Sequence, residues 1–458
     1  MQIYNTLTRK KEEFKKGKVK MYTCGVTVYD VCHIGHARSL YIFDVIRRYL
    51  GYRGYDVKFI RNITDIDDKI INKAKEQNVS AKEIAEKYTK SYYEDISALG
   101  IDKADKEPKA TENIPDMIKH ISGLIDKGYA YVVDGDVYFS VRKFKDYGKL
   151  SGQNPEQMMS GARIEKDERK QDPLDFALWK KSKEGEPSWK SPWGDGRPGW
   201  HIECSVMSLK YLKTQTLDIH AGGRDLIFPH HENEIAQAEA LTGKQFAKHW
   251  IHHGLLTING QKMAKSLGNF VIVQDFLNRY KDADILKLFF LSTHYSKPID
   301  YNEEKIKEAR KQERSFDEFF ARTSLLHEGQ KKAKLSKDQK EKLDAKCEKI
   351  TKAMDDDINI PLAFGYLFEL KDLASGFQED AFKYARAKLE VFFKIFGLKT
   401  NPQMKLTQEM IKLHEQREKE RKRKNFKEAD RIRYEEFKDR LKVNINDTNW
   451  GTIFTRIE

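Results

Sequence analysis

The sequence predicts an α/β fold in which a parallel sheet is interrupted by an insertion and followed by a helical, basic C-terminal part. Three observations predict it. A strand–helix–strand pattern runs from Val19 to Thr64, the periodicity changes between residues 115 and 200, and helical, highly charged sequence begins at residue 302. A strand, a helix and a second strand in direct succession form a βαβ unit, and its strands pair in parallel.

The first elements follow from residue type and spacing. Val19 to Val28 is rich in β-branched and aromatic residues and predicts a strand. Gly35 to Leu50 predicts a helix that ends before Gly51, because apolar residues recur at three- and four-residue spacing. Asp56 to Thr64 predicts the second strand, and a capping box, Ser80-x-x-Glu83, begins a further helix toward Leu99.

Downstream, the pattern divides the chain into further parts. Asp134-Gly135, flanked by strand-like residues, predicts a hairpin within an insertion, and strands and helices resume after Trp200. The stretch from Leu413 to Leu441 is basic and helical, and a short β-like tail follows it. We therefore predict five parts: residues 1–114 and 201–301 form the two halves of the sheet domain, 115–200 the insertion, 302–400 a helical bundle and 401–458 a small C-terminal α+β domain.

Composition limits the classes of function. The chain of 458 residues is 34% charged with a formal net charge of +13, which favours a polyanionic partner, although a lysine-rich proteome would produce the same bias. No apolar run reaches the roughly 20 residues of a membrane span, and the N-terminus lacks the apolar core of a signal peptide, which predicts a cytoplasmic protein. Four cysteines are too few for a disulfide framework. Of these, Cys32 is predicted to be a packing residue and Cys347 to be incidental.

One short motif suggests a nucleotide site. His33, Gly35 and His36 form an HxGH pattern where a strand ends and a helix begins. The free backbone N–H groups and the dipole at a helix start favour phosphate, and a glycine lets adenine or ribose approach the backbone closely. Two ordinary histidines near a turn are the structural alternative.

A second motif strengthens this interpretation. Lys262 and Lys265 lie three residues apart in GQKMAKS, after a strand-like segment. Two lysines on a loop can close over a triphosphate, whose transfer chemistry depends on positioning and on charge stabilisation. A solvated charged turn is the alternative for this motif alone. Together the two motifs predict an ATP site.

A third constellation predicts a metal site. His230 and Glu234 stand at i and i+4 in FPHHENE, so they share one helix face. With Cys24 and Cys204 they complete a Cys₂HisGlu set, and thiolates with imidazole favour Zn²⁺ over Mg²⁺ or Ca²⁺. Spacing alone leaves His231 open as a rival ligand. The alternative is that the thiols are core residues and HHENE caps a helix.

Several segments resemble class I aminoacyl-tRNA synthetases, and among them the cysteinyl-tRNA synthetase family. They are YTCGVTVYDVCHIGHAR, RNITDIDDKI, GRPGWHIECS, FPHHENEIAQ, KMAKSLGN and ADRIR, and the resemblance extends over essentially the whole chain. It implies a Rossmann-type catalytic domain with an inserted connective domain, followed by a helical bundle that binds tRNA and a C-terminal domain that binds the anticodon. Trp450 is a candidate base contact there, although burial is the alternative that we favour.

The resemblance also implies roles for individual residues. It implies one zinc ion per chain and selects His230 over His231, with the ligands Cys24, Cys204, His230 and Glu234. It further implies that two signatures bind ATP: His33, Gly35 and His36 form the first, and Lys262 and Lys265 belong to the second. Asp225 would hold the ribose of ATP, and Thr27 and Trp200 would lie beside the amino-acid pocket. The lysine loop departs from the usual KMSKS pattern because Ala264 replaces a serine.

The implied reaction has two steps. L-cysteine and ATP, with Mg²⁺, form cysteinyl-adenylate, and the cysteinyl group then passes to the 2′-hydroxyl at the 3′ end of tRNA-Cys. Zinc would select the substrate thiol, and a monomer is expected. Two rivals remain: a cysteine ligase with a small-molecule amine acceptor, which would not need the basic residues 302–458, and a non-catalytic RNA-binding paralogue, which would have lost these motifs.

Overall fold

The computed structural model describes residues 1–154, 169–263, 267–324, 335–377, 379–400, 406–448 and 451–456. It forms two compact units. The first comprises Met1–Ala283, Thr293–Tyr301 and Asp355–Ile358, and the second comprises Asp284–Ser292, Asn302–Met354 and Asn359–Glu458. The five-part division stays a prediction.

The strands of the described residues are β1 (Gln2–Asn5), β2 (Lys10–Glu13), β3 (Lys18–Thr27), β4 (Asp56–Thr64), β5 (Ala130–Val133), β6 (Asp136–Phe139), β7 (Phe176–Lys181), β8 (Gly196–Pro198), β9 (Leu217–Gly223), β10 (Ala247–His253), β11 (Leu256–Ile258), β12 (Gln261–Lys262), β13 (Ile299–Tyr301), β14 (Val443–Thr448) and β15 (Gly451–Arg456). The helices are α1 (Ile34–Tyr52), α2 (Asp68–Gln77), α3 (Ala81–Ala98), α4 (Ile114–Asp126), α5 (Trp200–Leu212), α6 (Glu232–Thr242), α7 (Val273–Tyr280), α8 (Ala283–Leu291), α9 (Glu303–Ser324), α10 (Lys337–Asp355), α11 (Ile360–Ser375), α12 (Glu379–Phe396), α13 (Gln408–Lys422) and α14 (Phe426–Arg431).

The central sheet of the first unit is parallel throughout, with the strand order β10-β9-β3-β4. This confirms the predicted fold class. Helix α1 connects β3 to β4, and its buried face contains the apolar residues that predicted it from their spacing: Leu40, Phe43, Ile46 and Leu50. Ser80 caps α3 in a complete capping box with Glu83.

The pairing of β3 with β4 shifts register between Thr23 and Val26. Gly25 lies at this shift, and a Cβ placed on it would lie 1.6 Å from the backbone oxygen of Asn62. Only glycine permits so close an approach of two backbones. The shift sets the position of Cys24, the residue just before it.

The insertion contains the antiparallel sheet β5-β6-β7-β8. Asp134 and Gly135 both have positive φ, of 50° and 93°, as the predicted two-residue hairpin turn requires. Buried residues of this sheet share one hydrophobic core with residues of α5 and α6, including Phe139, Trp179, Ile202, Met207 and Ala236. The insertion therefore fixes the two helices that carry Cys204 and Glu234.

A smaller sheet, with the order β12-β11-β13, contains the hairpin that precedes the lysine loop. Its turn consists of Asn259 and Gly260, with φ of 49° and 76°. The Asp300 carboxylate accepts hydrogen bonds from the Gly260 N–H and the Thr257 hydroxyl, each at 2.7 Å. The hairpin is thus held at its turn by β13.

The second unit consists mostly of helices, with one β-hairpin near its end. Rings from α9, α11 and α12 pack together, since Phe316 lies 4.6 Å from Phe368 and 4.9 Å from Phe393 between ring centroids. Helix α14 continues as π-helical backbone over Ile432–Arg440, and it packs on the β14–β15 hairpin through Ile432, Phe437, Ile445 and Phe454. None of the described helices combines the length and the apolarity needed to cross a bilayer.

Candidate metal centre and nucleotide site

The candidate metal centre lies near the carboxyl ends of β3, β9 and β10, the edge at which open parallel sheets bind ligands. Cys24 comes from β3, Cys204 from α5, and Glu234 from the first turn of α6. His230 lies in the π-helical turn just before α6. One ligand atom from each of these four residues falls within 4.8 Å of all the others.

The four side chains form a largely enclosed cluster. Cys204, His230 and Glu234 are buried, and Cys24 is half-buried. The Cys24 thiol donates to Glu234 Oε1 at 3.4 Å, and His230 Nε2 lies 2.9 Å from the same oxygen. This buried Nε2 makes no aligned hydrogen bond with any described residue. Its orientation therefore suits a metal ligand.

A second group of potential ligands overlaps the first. Cys24, His220, His231 and Glu234 also lie within 4.8 Å of one another. However, the imidazoles of this group already have partners: His231 Nε2 lies 3.1 Å from Cys24 Sγ, and His220 Nε2 lies 2.6 Å from Glu234 Oε2. The structure therefore brings both neighbouring histidines to the cluster but gives them different environments.

The protonation states differ within the cluster. Burial raises the pKa of Cys204, but the hydrogen bond from Cys24 and the neighbouring His230 outweigh it and lower the pKa to about 6. Burial alone would lower the pKa of His230, yet the Glu234 carboxylate and Cys204 raise it to about 10. Burial also raises the pKa of Cys24 well above its usual value. A cation bound here would replace protons on these groups.

Trp200 and Thr27, predicted beside the amino-acid pocket, and Asp225, predicted at the ribose, lie at different parts of this region. The Trp200 ring stacks on the His230 ring at 4.1 Å between centroids and is 39% exposed, so it lies between a member of the cluster and the surface. Thr27 ends β3 and pairs with Thr64. Asp225 is exposed in a short 3₁₀ turn after β9, with its carboxylate close to Gly223.

The HxGH residues form the start of α1 in a way that the sequence did not predict. His33 is the N-cap, and its Nδ1 accepts hydrogen bonds from the N–H groups of Gly35 and His36 at 3.1 and 3.2 Å. The expectation of free N–H groups for phosphate at this helix end is therefore wrong for these two. A side chain on Gly35 would crowd the capping ring, since its Cβ would lie 3.0 Å from His33.

The two imidazoles are uncharged at neutral pH. Their rings stack at 3.7 Å, and burial lowers the pKa of His33 to about 4 and that of His36 to about 3. Because Nδ1 of His33 accepts two hydrogen bonds, the proton of the neutral ring is on Nε2. His33 thus presents an N–H donor, without a full positive charge.

Residues on both sides of the lysine loop lie against the start of α1. The N–H of Ile34 donates to Val271 O at 3.0 Å, and the N–H of Val273 donates to Cys32 O at 2.9 Å. The Met263 methyl group would lie 3.2 Å from a Cβ at Gly35. Gly35 of the first motif and Met263 of the second motif are therefore neighbours.

The lysine loop itself is described in part. Lys262 is exposed at the end of β12, and its carbonyl accepts a hydrogen bond from Asn269 Nδ2 at 3.2 Å. That bond joins the two sides of the loop. Ala264 and Lys265 lie outside the described residues.

Sequence reasoning missed most of the imidazoles around Glu234. His201 Nδ1 lies 2.9 Å from His230 Nδ1, and His252 Nε2 lies 2.8 Å from His231 Nδ1. The available signal was that His220 and His252 both precede the carboxyl ends of strands. Because parallel strands end at one edge, histidines at such positions converge.

The histidine geometry predicts a pH response. The imidazole signals of His33 and His36 should not titrate between about pH 5.5 and 8, because both native pKa values are lowered. The unfolded chain takes up these protons near pH 6.5, so stability falls as the pH drops from there toward 4. NMR with assignment by His33→Asn and His36→Asn measures the titration, and the His36→Asn change should flatten the stability profile. A midpoint near 6.5 for either ring would contradict this.

Comparisons with known proteins identify the family. A family model described as the tRNA synthetases class I (C) catalytic domain matches residues 10–311. A cysteine–tRNA ligase of Caldicellulosiruptor saccharolyticus is 49% identical over the whole of both chains, and one of Thermodesulfovibrio yellowstonii is 57% identical over 81% of this chain and 77% of its own. Among solved structures, a Mycobacterium tuberculosis methionyl-tRNA synthetase with methionyl-adenylate has a TM-score of 0.59 at 16% identity, over 83% of this chain and 90% of its own, and shares the fold. The chain belongs to the cysteine–tRNA ligases, which are ATP-dependent enzymes of the class I aminoacyl-tRNA synthetases.

Proposed function

We propose that this chain joins L-cysteine to the 3′ end of tRNA-Cys and that zinc, held by Cys24, Cys204, His230 and Glu234, selects the substrate by its thiol. In the first step a carboxylate oxygen of cysteine attacks the α-phosphate of ATP, and pyrophosphate leaves. In the second step the terminal 2′-hydroxyl attacks the adenylate carbonyl, and AMP leaves. The single observation that carries the proposal is the convergence of two thiols, an imidazole and a carboxylate within 4.8 Å.

The donor set supports zinc rather than a harder cation. Two sulfur ligands and an imidazole suit Zn²⁺, whereas Mg²⁺ prefers oxygen ligands and is proposed only with ATP. When bound, zinc supplies a ligand position that prefers a thiolate to an alcohol. A hydrophobic pocket gains only about 1–3 kcal/mol from one methylene group. Ligation of the substrate thiol would distinguish cysteine from serine by much more.

Neighbouring contacts favour the set with Cys204 and His230 over the set with His220 and His231. His201 contacts Nδ1 of His230 and His252 contacts Nδ1 of His231, so in both rings Nε2 faces the cluster, and the difference lies in His220. His220 contacts Glu234 Oε2 at 2.6 Å, which orients the carboxylate so that Oε1 faces the cluster. Such outer contacts hold ligands in position.

The proposed ATP groups act by placement and by hydrogen bonding. The Nε2–H of His33 would donate to a phosphate oxygen, and His36 stacks beside it. Lys262 and Lys265 would stabilise the charge that develops on pyrophosphate as it leaves. Asp225, exposed after β9, would hold the ribose, while Thr27 and Trp200 would border the cysteine pocket.

The C-terminal residues would bind tRNA. Phe426 and Tyr434 are exposed at 61% and 49%, and Arg433 and Lys438 lie over the Tyr434 ring at 5.5 and 5.8 Å. Exposed aromatic and cationic side chains suit unpaired RNA bases. Trp450, the residue considered from the sequence, lies outside the described residues. The monomeric state and the cytoplasmic location stay predictions.

The metal proposal is tested first by zinc content. Cys204→Ser should lower the zinc retained after dialysis against a chelator by at least about tenfold, because a thiolate ligand is lost. It should also lower the preference for cysteine over serine in ATP–pyrophosphate exchange. Cys347→Ser, a half-buried cysteine of α10, is the matched control.

A second pair of variants separates the two ligand sets. His230→Asn should release zinc, whereas His231→Asn should retain it at near the unchanged amount. The opposite result would assign zinc to His220 and His231. Full zinc in Cys204→Ser would refute the proposed set.

The lysine proposal predicts a selective loss of rate. Lys265→Ala should lower the rate of cysteinyl-adenylate formation by roughly 10²- to 10³-fold while ATP binding changes little, because the charge it offsets develops in the transition state. Lys262→Ala should act in the same direction. Stopped-flow adenylation and equilibrium ATP binding measure the two quantities, with the exposed Lys82→Ala as control. Equal losses in rate and binding would mean that the lysine binds ATP uniformly.

The tRNA proposal predicts an effect confined to the second substrate. Tyr434→Ala should raise the KM for tRNA by roughly 5- to 100-fold, the range for loss of one stacked base. ATP–pyrophosphate exchange should be unchanged, and the exposed Tyr52→Ala serves as control. Exchange without any tRNA-dependent incorporation in the unaltered protein would instead support a small-molecule acceptor.

A further inference from the structure

Arg38 is a buried cation on α1, two residues after His36, the last residue of the HxGH motif. Its side chain is fully buried, and its guanidinium donates to four backbone carbonyls. Nη1 donates to Gly254 O at 2.5 Å and Leu255 O at 3.0 Å, while Nη2 donates to Tyr295 O at 3.3 Å and Lys297 O at 2.8 Å. One guanidinium therefore joins two separate segments to α1.

Both segments belong to the base of the lysine hairpin. Gly254 and Leu255 connect β10 to β11, and Tyr295 to Lys297 lead into β13, which pairs with β11. The two segments also bond directly, since the N–H of Gly254 donates to Tyr295 O at 2.9 Å. A Cβ on Gly254 would lie 2.1 Å from Lys297 O. The junction is thus a close backbone contact held from α1.

The electrostatics of Arg38 make this contact costly to break. Among the described residues no carboxylate forms an ion pair with it, so the four carbonyl dipoles offset its charge. Burial lowers its pKa to about 10, and it stays charged at neutral pH. The adjacent His253 is neutral, because burial and the Arg38 charge lower its pKa to about 4. Removing a buried donor leaves carbonyls unpaired.

The far side of the loop is held to the same helix by backbone bonds from Ile34 to Val271 and from Val273 to Cys32. Both roots of the loop are therefore anchored at the start of α1, beside His33 and His36. We propose that Arg38 is a positioning residue that fixes the root of the hairpin carrying Lys262 relative to the HxGH imidazoles. The inference rests on the proposed role of the loop lysines in adenylate formation.

The first test replaces the guanidinium of Arg38, with its forked N–H donors, by an ammonium group that keeps the positive charge. Arg38→Lys should lower kcat for cysteine-dependent ATP–pyrophosphate exchange by roughly 10- to 100-fold, because a displacement near 1 Å at reacting groups has such an effect. The KM for cysteine and the zinc content should not change. Arg48→Lys is the matched control: this arginine of the same helix donates to Gly100 O at 2.9 Å and pairs with Asp44, away from the hairpin.

A second variant disturbs the junction while Arg38 is kept. Gly254→Ala would separate the two segments, so it should lower kcat in the same way, and the double variant should lose less than the product of the two effects. Hydrogen exchange at the amides of residues 256–262 should accelerate in both variants but not in Arg48→Lys. If Arg38→Lys does not fold, Gly254→Ala decides the question with the same measurements.

The outcomes separate this inference from the proposed function. Unchanged kcat and unchanged exchange at residues 256–262, with only a lower melting temperature, would overturn the positioning role. If Lys265→Ala leaves adenylation intact, the proposed lysine role fails, whatever Arg38→Lys does. If Lys265→Ala abolishes adenylation and neither junction variant affects it, the Arg38 inference fails alone.

Discussion

The fully buried carboxylate of Glu234 is the constraint on which the candidate metal centre depends. A buried charge is tolerated only when other groups compensate it closely. Here His220 contacts one oxygen, and His230 and the Cys24 thiol approach the other. These groups come from β9, from the turn before α6 and from β3, so the sheet, the turn and the helix have to assemble before the carboxylate is stable. The insertion shares one hydrophobic core with α5 and α6. This core fixes the helix that carries Glu234 and brings Cys204 to the same point, so it determines the geometry of the candidate metal centre.

The link from β3 to α1 joins this centre to the nucleotide site through the backbone. Cys24 precedes a register shift that only Gly25 allows, and a short loop then leads to His33 at the start of α1. In the proposed function, selection of the amino acid and placement of ATP would both depend on this one strand–loop–helix. The cap formed by His33 has two effects at once: it satisfies two N–H groups of the helix and fixes the ring so that Nε2 carries the proton.

The sequence predicted the features that depend on local pattern. Apolar periodicity located α1, the capping box located α3, and Asp134-Gly135 located the hairpin of the insertion, because each has a signal within a few residues. The use of His33 as an N-cap was missed because the motif looked like a set of free donors for phosphate. Arg38 was missed because its four carbonyl partners lie more than two hundred residues away in the chain, and a carbonyl leaves no side-chain signature. The surroundings of His230 and His231 likewise depend on tertiary partners, among them His201, His252 and His220, that spacing does not reveal.

The side chains of the candidate metal centre are buried whereas Lys262 is exposed, and the proposed chemistry gives a reason for this difference. Distinguishing a thiol from an alcohol needs ligands whose positions do not adapt to the wrong substrate, and Cys204, His230 and Glu234 are buried with fixed neighbours. Stabilising a departing pyrophosphate needs charge that is used most in the transition state. Lys262, exposed at the end of the second hairpin strand, suits that task only if the hairpin root is held in place. In the proposed function, a fixed root would keep the exposed Lys262 aligned with the imidazoles of α1 when ATP binds. The proposed role of the hairpin thus gives a reason for the buried contact of Arg38 with its base, where a flexible surface contact would not fix the position of Lys262.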